Sequence, residues 1–189
     1  MTAPLRVVAV SGSLHEPSKT TALLRAITAA VAERAPVEAQ LIELTQIGPS
    51  LAGALTRDQL PPEVEVHLQA IETADLLIVG SPVYRASFTG LFKHLFDFVD
   101  QYALVGTPVL LAATGGGERH ALMIEHQLRP LFAFFQALTL PLGVYASTTD
   151  FDGYEVATDV LRARIALAAE RALPLVGYTA DRPAELLVG

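Results

Sequence analysis

The residues that follow the first apolar run have the composition of an anion cradle. Ser11-Gly12-Ser13-Leu14-His15-Glu16-Pro17-Ser18-Lys19-Thr20 supplies four hydroxyl side chains, a mobile glycine and the start of an amphipathic segment. A helix beginning here presents amides without carbonyl partners and the positive end of its dipole. Together with hydroxyl donors, these are the parts that hold a phosphate. A Walker loop needs Gly-x-x-x-x-Gly-Lys-Ser/Thr, and registering it on Lys19-Thr20 puts Ser13 and Ser18 where both glycines belong. Gly-x-Gly-x-x-Gly is absent too, so a dinucleotide held in Rossmann mode is not expected. The same residues also suit an ordinary strand-to-helix turn with an N-cap serine.

Two further segments have ligand-facing chemistry. In Ser81-Pro82-Val83-Tyr84-Arg85-Ala86-Ser87-Phe88-Thr89-Gly90, Pro82 stiffens the chain and Tyr84 has the shape to cover a flat ring. In Thr114-Gly115-Gly116-Gly117-Glu118-Arg119-His120, consecutive glycines let the backbone approach a ligand and aim N–H groups at its polar edge. Taken singly, each also reads as a flexible turn.

Such loops act together only if the fold brings them to one rim, and the alternation of elements does so. Arg6–Val10, Ala39–Leu44, Leu76–Gly80, Val109–Ala113 and Gly143–Ser147 read as strands. Helical periodicity covers Ser18–Glu33, Glu63–Thr73, Ser87–Gln101, His120–Leu138 and Val156–Ala172, with Gly48–Pro62 loop-like. Five strands alternating with helices imply an α/β fold, a doubly wound parallel sheet with helices on both faces. Ligands bind such sheets beyond the carboxyl ends of the strands, which is where the three loops fall. Residues 1–177 are expected to form one domain, and 178–189 a poorly ordered tail.

Composition narrows the partners. A net charge of −7, with no cluster of Lys or Arg, disfavours nucleic acid and an anionic membrane surface. The absence of cysteine removes disulfides, thiolate catalysis and iron–sulfur ligation. No stretch reads as a signal peptide or a membrane span, so the expected location is cytoplasmic. At 51% hydrophobic residues the chain is rich enough in apolar surface to expect some burial between copies.

Taken in order and spacing, Ser13…Ser18-Lys19-Thr20, Ser81-Pro82-Val83-Tyr84 and Ala113-Thr114-Gly115-Gly116 resemble the NAD(P)H-dependent FMN reductase family. Within it, the chain is most similar to the reductases of two-component alkanesulfonate and methanesulfonate monooxygenase systems, over about Leu5 to Val176. The resemblance implies a flavodoxin-like fold, FMN and NADH or NADPH as cofactors, and hydride transfer from nicotinamide to flavin with no catalytic side chain. It also implies a role in sulfur metabolism: reduced flavin passes to a partner FMNH2-dependent monooxygenase. It places Ser13, Ser18 and Thr20 on the flavin phosphate and Pro82, Val83, Tyr84, Thr114, Gly115 and Gly116 along the ring. Ser11, His15, Lys19, Arg85, Ser87 and Gly117 complete the candidate cofactor-binding set. His15 stands where relatives often carry Arg. The rival activities are an FMN-containing quinone, azo or metal-oxyanion reductase that retains its flavin, and a flavodoxin-type electron carrier.

Pro130 interrupts the fourth helical segment. It has no N–H, so the carbonyl of His126 loses its usual partner, and a kink or π-type bulge is expected there. Related reductases place a bulge tyrosine at the position of His126, which makes His126 a possible modulator or a structural residue at a subunit contact. Leu131-Phe132-Ala133-Phe134-Phe135 is either core or partly the interface of a homodimer or homotetramer. His67 and His94 read as boundary residues and Lys93/Asp97 as a surface i,i+4 pair. Asp150, Asp152 and Glu155 read as a solvated acidic loop rather than a metal site. No Gly-x-Ser-x-Gly elbow is present.

Overall fold

A computed structural model describes residues 3–176. Its sheet is built from β1 (Leu5–Ser11), β2 (Val37–Glu43), β3 (Leu76–Pro82), β4 (Pro108–Gly115), β5 (Leu138–Thr139) and β6 (Val144–Ser147), all pairing in parallel. The order is β2-β1-β3-β4, with β5 and β6 sharing the outer edge of β4. This is the doubly wound, flavodoxin-like arrangement, and its order reverses between β1 and β3.

Period-two alternation sorts the strand residues between two cores. Val7, Ala9, Ile78, Leu110 and Ala112 pack under α1 (Lys19–Ala32) and, C-terminally, the helix Asp159–Val176. Val8, Val10, Leu77, Val79, Leu111 and Ala113 pack on the other face under α2 (Leu44–Leu51), α3 (Pro62–Glu72), α4 (Gly90–Asp97) and α5 (Arg129–Phe134). The central strands are therefore apolar throughout.

Several elements differ from the sequence reading. The stretch expected as loop from Gly48 contains the end of α2, with Gly48 and Pro49 inside it. A Cβ on Gly48 would lie 3.2 Å from Leu91 Cδ1, so the glycine serves close packing on α4 rather than a break. The 3-10 turn Arg57–Gln59 follows, tied down by Arg57, whose guanidinium bonds both Glu65 and Glu72 and the carbonyl of Phe98. The helix expected from Ser87 starts only at Gly90, because Tyr84–Ser87 closes a turn of its own. The strand expected at Gly143–Ser147 is present as β6, and the short β5, at the end of the segment expected as helix, adds a further pairing to β4 before it. The last helix, here α6, begins at Asp159. Glu155–Val156 (β8) pairs instead with Phe151–Asp152 (β7) as a small antiparallel hairpin.

The segment expected as one helix over His120–Leu138 breaks into a 3-10 turn at Glu118–His120, a π-helical turn at Ile124–Leu128, and α5. Arg129 N–H reaches the carbonyl of Ile124, so the bulge expected from Pro130 is present immediately before it. Among the described residues no helix is long and apolar enough to cross a membrane. The tail expected over 178–189 lies outside the described residues.

Candidate functional site

The first loop is shaped by contacts that leave room for glycine alone. A Cβ on Gly12 would stand 2.8 Å from Phe92 Cδ2 and 3.1 Å from Ser81 Cβ. Its N–H donates to Gly80 at 2.7 Å and its carbonyl accepts from Thr89 Oγ1 at 2.7 Å, tying the loops after β1 and β3 together. Ser11 is fully buried beneath them, its hydroxyl bonded to Thr21 Oγ1 at 2.8 Å. Ser13 Oγ donates to the carbonyl of His15 (3.0 Å) and accepts its N–H (3.3 Å), which folds the loop back on itself. His15 is left exposed. Ser18 is the N-cap of α1: its Oγ accepts from Thr21 N–H at 3.3 Å, and its O–H remains free to donate. Among the described residues the amides of Ser13, Leu14, Lys19 and Thr20 meet no acceptor in the chain. That leaves the anion-binding donors of the helix start available.

The other two loops join the first through hydroxyls and backbone. Thr20 Oγ1 and Thr114 Oγ1 lie 2.6 Å apart, both buried, and Val83 N–H donates to the carbonyl of Thr114 at 2.8 Å. Tyr84 and Ser87 exchange both backbone bonds (2.8 and 3.0 Å) around a turn whose central residues, Arg85 (φ 49°) and Ala86 (φ 70°), are left-handed. In the glycine loop, Tyr145 Oη donates to the carbonyl of Gly117 at 2.6 Å and sits where a Cβ of Gly115 would go, 2.5 Å from it. Burial, reinforced by the nearby Glu118 charge, pushes the Tyr145 phenol above its ordinary value, keeping it a donor. A Cβ on Gly116 meets nothing within 4 Å, so that side of the backbone is open to a ligand.

Residues after β1, β3 and β4 line one cavity of about 200 Å³: Lys19, Pro82, Val83, Thr114, Gly115 and Gly116, with Ser147, Thr148 and Phe151; Ser13, Ser18 and Thr20 are not among its lining residues. Val83 also belongs to an adjoining cleft with Tyr84 and Arg85, which extends the seat along the rim. Ser11 lies below this seat, and His126, exposed on the π-turn, lies outside it. A wider groove of about 670 Å³ lies on the β2 side of the first loop, where Arg25 pairs with Glu43; it shares only Ser18 with the predicted residues.

Sequence reasoning missed the contribution of the strand-five exit. Lys19 Nζ donates to the carbonyl of Thr148 at 3.3 Å and stands 5.7 Å from the ring centroid of Phe151, within cation–π range. Asp150 is no free member of an acidic loop. It accepts from Ser147 N–H and Oγ and from Thr158 Oγ1, and these bonds outweigh burial to hold its carboxyl below the ordinary range. Among the described residues no acidic or histidine cluster has metal-ligand geometry. The rule that assembles strand-end loops applies equally after the fifth strand and was the available signal.

The donor set fits a flavin mononucleotide. The first loop offers free amides and hydroxyls suited to a dianion, and Lys19, Pro82 and Val83 line one cavity with the open glycine backbone. Comparison with known proteins agrees. Residues 5–152 match the family described as NADPH-dependent FMN reductase. The "FMN reductase (NADPH)" of Pseudomonas aeruginosa is 58% identical over 177 residues, covering 94% of this chain and 95% of its own length. The "NADH-dependent FMN reductase SfnF" of Pseudomonas fluorescens is 59% identical, with the same coverage of 94% and 95%. An oxidoreductase of known structure from Corynebacterium diphtheriae superposes with a TM-score of 0.80 at 38% identity, covering 94% of this chain and all of that one. The chain belongs to the NADPH-dependent FMN reductase family and is an NAD(P)H:FMN oxidoreductase.

Proposed function

We propose that this reductase takes FMN as a substrate, reduces it with NADH or NADPH, and releases it to an FMNH2-dependent monooxygenase of a two-component sulfonate system. Ser13, Ser18, Thr20 and Lys19 hold the phosphate, aided by the free amides of the first loop. Pro82, Val83, Tyr84, Thr114, Gly115 and Gly116 seat the ring, and Phe151 and Val83 keep water from its apolar side. Bound there, FMN supplies a flat acceptor for hydride from a stacked nicotinamide. The residues orient and desolvate; none is assigned a proton.

The observation that carries release is the modest charge of the phosphate seat. Lys19 is divided between Thr148 and Phe151, Ser13 and Thr20 already bond within the chain, and Glu16 adds a negative charge to the same loop. A seat of this kind binds by backbone and hydroxyl rather than by an arginine clamp, which favours exchange. The purified protein should therefore be nearly colourless, and its NAD(P)H oxidation should saturate with added FMN. Stoichiometric retained flavin, with full quinone reduction and no response to added FMN, would overturn release.

A homodimer or homotetramer forms part of the proposal. Phe132 and Phe135 are core, whereas Phe134 is 65% exposed at a recess where Phe96, Val99 and Leu131 are rimmed by Lys93, Asp97 and Gln101. Phe134→Glu should shift light scattering toward the monomer at micromolar concentration while leaving the thermal midpoint within a few degrees, since the largely exposed ring loses only its edge contact with Phe135. A wild-type monomer would refute this.

A further inference from the structure

The turn between Tyr84 and Ser87 is built from the wrong residues for its shape. A two-residue turn with both central φ angles positive favours Asn-Gly or Gly-Gly, because a Cβ is crowded in the left-handed region. Here Arg85 and Ala86 occupy those places at φ 49° and 70°. Both are exposed, so neither is held by packing. Its two backbone bonds work against that crowding, and a side-chain contact from outside the turn adds to them.

The contact that does so comes from the π-turn. Ser87 Oγ donates to Gln127 Oε1 at 3.0 Å, and Gln127 is half-buried. The π-turn itself is fixed on three sides. Ile124 fills the space left by Gly143, its Cγ2 2.8 Å from where a Cβ would be, and Leu128 is fully buried. Arg129 grips both oxygens of Glu125 through Nε and Nη2, and its Nη1 donates to the carbonyl of Leu140 at 2.9 Å. The carboxamide of Gln127 is thus presented from an anchored element to a strained one. The strained one carries Val83 and Tyr84.

We infer that Gln127 is a positioning residue for flavin binding: it locks the 84–87 turn and so holds Val83 and Tyr84 in register with the glycine loop. This rests on the proposed placement of the flavin ring against Val83 and Tyr84. It assigns the π-turn a function within a single subunit, independent of His126 and of any partner chain. Because the Ser87 hydroxyl is the donor, a carboxylate at 127 would serve as well as the amide, whereas an isosteric hydrocarbon would not.

The test compares Gln127→Leu, Gln127→Glu and Ser87→Ala in the full chain. Without flavin, hydrogen exchange at the Tyr84 and Ser87 amides should quicken about five- to tenfold in Gln127→Leu, while α1 amides keep their protection. With flavin, KM should rise by the same about five- to tenfold for FMN and riboflavin alike, because the ring is common to both, with kcat nearly unchanged. Ser87→Ala should match Gln127→Leu, the double variant should be no worse than either, and Gln127→Glu should restore both readouts. Unchanged exchange in Gln127→Leu, an effect on FMN alone, or a Gln127→Glu variant as impaired as the leucine would overturn the inference. The exchange measurement contains no flavin, so it decides the lock even if the wild-type protein retains its FMN. That last result would overturn release and leave the role of Gln127 standing.

Discussion

Ser18→Asp should raise the KM for FMN by about one to two orders of magnitude and leave that for riboflavin within about twofold. Ser18 has two separable roles. Its oxygen caps α1 by accepting from Thr21 N–H, and its proton is free to donate to an anion at the helix start. Asp caps as well as Ser does, so the helix keeps its N-terminal bond and the fold its stability. The donor, however, is replaced by a negative charge facing the dianionic phosphate. Losing a charge-assisted hydrogen bond costs about 1.5–3 kcal/mol, and repulsion adds to it. Riboflavin has the ring without the phosphate and feels neither. Ser18→Ala loses donor and cap together, so it should weaken FMN less than Asp does yet lower stability by about 1 kcal/mol. Equal weakening of FMN and riboflavin by Ser18→Asp would mean that the loop shapes the fold and reads no phosphate.

That pair of roles illustrates what the sequence made legible. The loop after β1 could be placed because its signal is local: small residues, hydroxyls and a helix start lie within ten positions, Ser11 to Thr20. The parallel sheet was legible because buried strands such as Leu76–Gly80 are apolar without interruption. Of the kink or π-type bulge expected from the missing N–H at Pro130, the bulge is the one that formed. What escaped was set by tertiary contact. Gly48 resembles a breaker until Leu91 is seen filling its side, and Leu138 reads as the end of a helix until β4 is seen pairing with it. The left-handed turn at Arg85-Ala86 carries no local signal, since its residue types argue against it. Tyr145 read as a strand residue like any other, because its partner Gly117 lies 28 positions away.

Tyr145 and Gly115 should show the strongest coupling in the molecule. Gly115→Ala puts a methyl group 2.5 Å from Tyr145 Oη and 3.1 Å from His120 Cβ. The end of a tyrosine would ordinarily swing away at little cost. Here Oη is held by its 2.6 Å bond to the Gly117 carbonyl, so the phenol and the glycine loop must move together. Displacing that loop spoils the backbone proposed to face the ring, and affinity for FMN and riboflavin should fall together, by about ten- to a hundredfold. Tyr145→Phe alone removes one hydrogen bond, worth about 1 kcal/mol, and leaves the space intact, so it should cost each flavin only a few-fold in affinity. Combined with Gly115→Ala, the same change deletes the atom that the new methyl strikes. The double variant should therefore bind both flavins better than Gly115→Ala alone, with a remainder set by the contact to His120. Additive losses in this cycle would show that the methyl acts by blocking the ligand directly rather than by unseating the tyrosine. The methyl would then act on the flavin itself, and Tyr145 would be a bystander behind the glycine loop.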